Sequence, residues 1–436
     1  MRVTDRTQVG GESAGNARAA RYRDVFAVGE FRALFAAHLL SLFGDQLAKI
    51  AVAVLVFSHT DSALLSAAAF GIGYLPWAVG GPLLSALSDR YPRRTVMVTC
   101  DLARAALVGA LAVPGIPVPV LIAVLFVAAL FTPPFQAARS ATLPEVLDGD
   151  TYVVGQGLST LSMQLAQVLG FAAGGVLVAV VTARGAILVD AVTFAVSALL
   201  VRAFVADRRP PAAARSSSWH SDVRDGFRLV FGDQVLRTYL LLAWVGAAAV
   251  TAPEGLMVTY AAHRHGGPAT VGVLLAAMPL GMVVGAVLYG RFTPPWRRRR
   301  LIRPMAFGAT LALLPVWMDP PLATVLALLV LAGFGSAYVI VLNAMFVQTV
   351  PATHRGRAHG VAAAGLMIGQ GGGTALAGAV ADVLGDPAAV IGLCGLAGAL
   401  AVVPIALTWP RTGHTPFPQH RERPGKEEAM RGIDWD

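Results

Sequence analysis

The chain has 436 residues, 56% of them hydrophobic and only 14% charged, with a formal net charge of +9. An apolar share above the roughly 45–50% of ordinary globular proteins excludes a set of soluble domains, and two cysteines, Cys100 and Cys394, both inside apolar runs, exclude a disulfide framework or a metal cluster. The basic excess would point to nucleic acid in a soluble protein, but here it collects in the polar stretches between apolar runs, as in the cytoplasmic loops of a polytopic membrane protein.

Residues 1–30 are polar and arginine-rich and read as a cytoplasmic tail. The apolar run after them is too long, and too interrupted by charge, to be a signal-peptide core. A helix needs about 20 residues to cross the hydrocarbon core. Twelve such spans follow, near 33–57, 64–87, 95–114, 119–138, 152–181, 184–204, 238–261, 269–290, 301–317, 321–347, 360–384 and 388–408. The expected fold class is an all-α membrane protein with twelve transmembrane helices in two pseudo-symmetric six-helix bundles, over 31–204 and 238–409. An even number puts both termini on one side. Placing that side in the cytoplasm gathers the basic residues inside and leaves Arg184 and Arg264 outside.

The connection over 205–237 opens polar and proline-rich. It then places Trp219, Val223, Phe227 and Val230 or Phe231 at helical spacing, with Asp222, Arg224, Asp225 and Arg228 between them. That pattern predicts an amphipathic helix in the cytoplasmic membrane interface. Residues 410–436 read as a solvated, mixed-charge cytoplasmic tail. The halves are weak repeats about 200 residues apart: "SDRYPRR" at 88–94 answers "GRFTPPWRRRR" at 290–300, and "GFAAGGVL" at 170–177 answers "GQGGGTALAGAV" at 369–380. Repeated halves around a midplane site are characteristic of secondary transporters.

An ionisable residue inside a span is costly, so each is a functional candidate. Asp45 and Lys49 lie four apart on one face of span 1 and can pair with each other. Glu254 in "VTAPEGLMV" has no basic residue within one turn. Pro253 removes a backbone donor and Gly255 loosens the helix there, so a break is expected. An acid at such a break can take up and release protons, or bond to a polar group on a neighbouring helix. Asp190 in span 6 falls near the outer boundary, where packing and transport duties are equally open. Asp101 and Arg104, three apart in span 3, can pair and are read as structural. Gln164, Gln167, Asn343 and Gln370 either line a cavity or join helices. No Gly-x-x-x-x-Gly-Lys-[Ser/Thr] run occurs, so ATP coupling is not expected. His263 and His265 are too few for a metal site, and nothing pairs a nucleophile with a base, so neither an enzyme nor a cofactor is expected.

Four segments then occur in order within residues 31–409. They are "SLFGDQLAKIAVAVLVF" in span 1, Asp89, Arg90, Arg93 and Arg94 after span 2, "PPFQAARSATLPEVL" after span 4, and "DAVTFAVSALL" in span 6. Together they resemble the major facilitator superfamily, and more narrowly its drug-exporter branch with macrolide-efflux-like and enterobactin-exporter-like proteins. Ser85 and Pro92 stand where the signature has glycines, and Phe171 stands where the exporter motif has proline. The residues alone read the loop arginines as cytoplasmic anchors drawn to lipid headgroups. The resemblance adds that Asp89, with its arginines, gates the cytoplasmic side. It further implies a site near the midplane lined by spans 1, 4, 5, 7, 10 and 11, in a bacterial inner-membrane protein. The expected partners are a small-molecule substrate, protons and the lipid bilayer, with no nucleic acid and no ATP. The expected activity is outward alternating-access transport of a small amphiphilic molecule, coupled to protons through Glu254 first and Asp45 second. Uptake of a small metabolite by an importer or uniporter, or a non-transporting sensor or anchor, are the other readings.

Overall fold

The computed structural model describes residues 21–77, 91–208, 219–351 and 354–409; Asp89 and Arg90, and with them the acid of the expected gate, lie outside the described residues. No strand occurs among the described residues. A short helix, α1 (Tyr22–Ala27), leads into α2 (Gly29–Thr60), α3 (Ala63–Gly71), α4 (Arg93–Leu111), α5 (Val118–Ala129), α6 (Thr132–Val146) and α7 (Gly149–Phe204). After the connection come α8 (Trp219–Gly232), α9 (Gln234–Thr251), α10 (Met257–His263), α11 (Pro268–Phe292) and α12 (Pro295–Leu311). The chain ends in α13 (Leu322–Ser336), α14 (Tyr338–Thr349), α15 (Arg355–Leu384) and α16 (Pro387–Leu407).

Eight helical stretches among the described residues are long and apolar enough to cross a membrane, against the twelve read from the sequence. The difference has physical causes. α4 and α15 are long, but α4 carries Arg93, Arg94, Asp101 and Arg104, and the middle of α15 is diluted by glycines and Gln370. The stretch Ala63–Trp77 is apolar but shorter. α7 has 56 residues, about 84 Å if straight and far longer than a bilayer is thick. It is divided at Thr182, whose backbone is non-helical (φ 74°, ψ 163°), with Gly185 N–H donating to the Thr182 hydroxyl at 3.4 Å. α6 also runs to Val146, well past residue 138 where the sequence reading ends a span.

Residues before Arg208 and residues after Trp219 share one core. Phe70, Phe171 and Phe194 join Leu256, Tyr260 and Leu274 in it, all buried. Phe171, the departure from the exporter motif, stacks on Phe70 with centroids 6.2 Å apart. Where these two parts cross, small residues let backbones meet, as membrane helices require in the absence of a hydrophobic drive between them. A Cβ on Gly175 of α7 would lie 2.6 Å from the Gly272 Cα of α11, so no larger residue fits there. Gly378 of α15 likewise sits on Ala63, Leu64 and Ala67 of α3.

Each end of the bundle has a polar fastening. At one end the Asp382 carboxylate of α15 accepts from the Ser62 hydroxyl (2.7 Å), the Ala63 N–H (2.5 Å) and the Leu64 N–H (3.2 Å). It thus satisfies the orphan donors that begin α3 and meets the positive end of that helix. At the other end Arg93 pairs with Glu145 at 2.5 Å and donates to the Ala141 carbonyl at 2.7 Å, while Arg94 pairs with Asp207 at 3.2 Å. Arg208 pairs with Glu30. The residue-level reading sent Arg93 and Arg94 to lipid headgroups; acids on neighbouring segments claim them instead, leaving the Arg93 side chain 13% exposed. α8 rests on α15, where Asp225 meets Arg357 at 3.6 Å and Gly226 lets the helix approach the Arg357 carbonyl.

Asp382→Ala removes an acceptor shared by three donors. It is expected to cost about 1–3 kcal/mol, seen as a lower thermal midpoint of the purified protein. An Asp382→Ala midpoint equal to wild type removes this fastening from the stability of the fold.

Candidate functional site

A cavity of about 840 Å³ opens among α2, α3, α4, α5, α6, α7 and α15, a volume that takes a drug-sized molecule. One face of α2 runs along it: His38, Leu42, Asp45, Lys49 and Val52, spaced by alternating fours and threes as a single helical stripe requires. Phe70, Tyr74 and Trp77 bring aromatic rings from the α3 side, and His359, Ala363 and Met367 reach it from α15.

Asp45 pairs with Arg104 of α4, not with Lys49. Arg104 also donates to the Ser41 hydroxyl at 3.1 Å and lies 3.8 Å from the Phe194 ring centroid. Ser41 and Asp45 are one turn apart on α2, so one planar guanidinium reaches both and stacks as well, which the single point charge of Lys49 cannot do. The same choice undoes the expected Asp101–Arg104 pair: the Ser197 hydroxyl donates to Asp101 at 2.5 Å. Lys49 is left 5.8 Å from the Phe70 centroid and 5.5 Å from the Tyr74 centroid, and it interacts electrostatically with both Asp45 and Glu254.

Asp190 sits in the cavity wall, buried, with the Thr193 hydroxyl donating to it at 3.3 Å. Gly44, the glycine before Asp45, makes room for it, since a Cβ there would collide with the Asp190 carboxylate and the Thr193 hydroxyl. Asp45, Asp101 and Asp190 thus gather near one guanidinium. One oxygen each of Asp101 and Asp190 has no hydrogen-bond partner among the described residues.

Glu254 lies in a 3-10 stretch, Ala252–Leu256, between α9 and α10, where Pro253 and Gly255 predict the break. It is outside the cavity lining and joins it through Tyr74, whose hydroxyl donates to Glu254 at 3.5 Å. Gln167 lines the cavity, whereas Gln164 donates to the Met282 sulfur of α11 at 3.4 Å and so joins helices. Asn343 is exposed and Gln370 half-buried, both outside the lining.

The sequence reading missed His38 and Arg139, which are 3% and 7% exposed in the wall. Arg139 donates to the Ser159 hydroxyl at 2.9 Å. A signal existed for each: His38 shares the Asp45 stripe two turns earlier, and Arg139 falls inside "PPFQAARSATLPEVL". No cluster of histidine, cysteine and acidic residues able to hold a metal occurs among the described residues.

The family model described as the Major Facilitator Superfamily matches residues 34–318 and 251–432. The chain belongs to the Major Facilitator Superfamily. Within it the chain is similar to the multidrug efflux pump Tap of Mycolicibacterium fortuitum, 26% identical over 372 residues that cover 83% of this chain and 91% of that protein. It is also similar to macrolide efflux protein A of Streptococcus pyogenes, 24% identical over 287 residues, 64% of this chain and 70% of that one. These are relatives from the drug-exporter branch. Among solved structures, the nucleoside transporter NupG superposes with a TM-score of 0.69 at 13% identity, covering 87% of this chain and 100% of that chain. A POT family transporter in complex with 5-aminolevulinic acid gives 0.68 at 10% identity, covering 87% and 96%. These superpositions establish the fold of the superfamily.

Arg104→Gln takes the paired cation from the half-buried Asp45, leaving Lys49 alone to balance it, and is expected to destabilise the protein by about 1–3 kcal/mol. Adding Asp45→Asn should recover part of that loss. Thermal midpoints of the two single variants and the double variant form the cycle that measures the coupling; simple additivity would show that the pair contributes nothing.

Proposed function

We propose that this protein is a secondary active transporter of the bacterial inner membrane that exports a small amphiphilic molecule by alternating access, driven by protons moving inward. The observation that carries the reading is the 840 Å³ cavity, walled by apolar and aromatic side chains yet crossed by the ionisable stripe of Asp45 and Lys49, in a chain whose relatives are named as efflux pumps. Twelve spans account for the helices if α4, α15, the Ala63–Trp77 stretch and the second limb of α7 each cross once beside the eight apolar stretches. On that reading 31–204 and 238–409 are the two halves, both termini are cytoplasmic, and α8 lies in the inner interface. Asp89 and Arg90, together with Arg93 and Arg94, then close the cytoplasmic side.

Coupling follows from where Glu254 stands. It belongs to the second half, while Tyr74 and Lys49, which bond to it and balance it, belong to the first. Movement of one half against the other therefore changes the surroundings of the Glu254 carboxylate, and with them its hold on a proton. Asp45 is the second coupling candidate, restrained by Arg104, and Asp190 stands beside it. Gln167 is read as a substrate contact, while Gln164 is read as joining α7 to α11.

The test is retention of a panel of antibiotics and lipophilic dyes in an efflux-deficient bacterium expressing the protein, with and without a protonophore. Lower retention that the protonophore reverses is expected. Retention that rises on expression would replace export by uptake. With an exported compound in hand, Glu254→Gln is expected to abolish accumulation against a gradient while binding persists; a variant that still pumps with unchanged pH dependence removes Glu254 from the mechanism.

A further inference from the structure

The cavity has two chemically different ends. At one, Asp45 and Asp190 meet Arg104 and Thr193. These are the carboxylates on the cavity wall among the described residues. At the other end stand Arg139 and His38. His38 precedes Asp45 by seven residues on α2, which places it about 10 Å away along the helix axis. Arg139 and His38 are near enough to interact electrostatically. No carboxylate among the described residues lies within ion-pair distance of Arg139. Its hydrogen bond is to the neutral hydroxyl of Ser159, whose own proton goes to the Gly155 carbonyl. The Arg139 Nε and the His38 Nδ1 have no hydrogen-bond partner among the described residues.

A buried guanidinium without a counter-charge is costly, and chains keep one where an anion answers it. Gln136 and Gln156 add neutral donors at the same end, and Leu42, Met163 and Met367 supply apolar wall for the rest of a ligand. We infer that the Arg139–His38 end of the cavity is an anion subsite, and that the molecule this protein moves is an amphiphilic organic acid whose carboxylate, or an equivalent anionic group, binds there. The guanidinium fork suits two carboxylate oxygens at once. That the acid is transported rests on the proposed function; the subsite does not, and binding tests it separately.

The probe is dansylaminoundecanoic acid, compared with its methyl ester, which keeps the apolar body and loses the charge. Each is titrated by fluorescence into the detergent-purified full chain at neutral pH, with protein-free micelles subtracted. The acid is expected to bind about ten- to a hundredfold more tightly than the ester, the worth of a charge-assisted hydrogen bond. Arg139→Gln should lower acid binding to the level of the ester while leaving ester binding unchanged, and Arg139→Lys should keep part of the preference. Retained ester binding serves as the check on folding. Equal binding of acid and ester to the wild-type protein overturns the subsite, a comparison that needs no variant. A preference that survives in Arg139→Gln overturns its assignment to this end. Displacement of the acid by millimolar inorganic phosphate would make the site one for small anions and overturn the substrate class. Preferential binding of the acid in a protein that pumps nothing would leave the subsite standing and sink the export reading; a pumped neutral dye with no acid preference would do the reverse.

Discussion

Charge has to be answered from within the protein when there is no water to answer it, and Arg104 is where this chain meets that constraint. One guanidinium ties α2 to α4 through Asp45 and Ser41 and presses against Phe194 of α7. Its position decides the rest of the wall. Because Asp45 is taken, Lys49 turns to the aromatic rings of Phe70 and Tyr74, and through Tyr74 the stripe on α2 reaches Glu254 in the other part of the molecule. Glycine at position 44 lets Asp190 approach the same cluster.

The arginines that begin α4 follow similar logic at the end of the bundle. Arg93, Glu145, Arg208 and Glu30 form a chain of alternating charges joining the start of α2, the start of α4, the end of α6 and the segment after α7. Such networks add more through geometry than through any single exposed pair. Here they fix the ends of four helices against one another, so that part of the molecule can act as one body.

What the sequence disclosed was governed by range. Pro253 and Gly255 act on their own backbone, so the break around Glu254 was legible without knowing any neighbour. The all-helical character was legible from apolar runs. The partner of Asp45 was not, since the rule for residues four apart knows a single helix and Arg104 lies 59 residues away. Arg139 was passed over because span 4 was ended at residue 138, yet α6 continues through it to Val146. α4 and α15 were read as spans from their apolar runs, yet the charges of α4 and the glycines of α15 keep both out of the eight strongly apolar stretches.

The contact of Gly175 with Gly272 carries a mechanical consequence. Two backbones that touch cannot come closer, and with no side chains interleaved they resist little when one turns on the other. If the two halves rock against each other as proposed, the crossing of α7 and α11 is where they would pivot. Rotation about it displaces atoms in proportion to their distance from it, so a tilt barely felt at Gly175 becomes a wide stroke at the far ends of the same helices. A side chain added at either glycine would lengthen no lever, but it would wedge the bearing apart and take the pivot away.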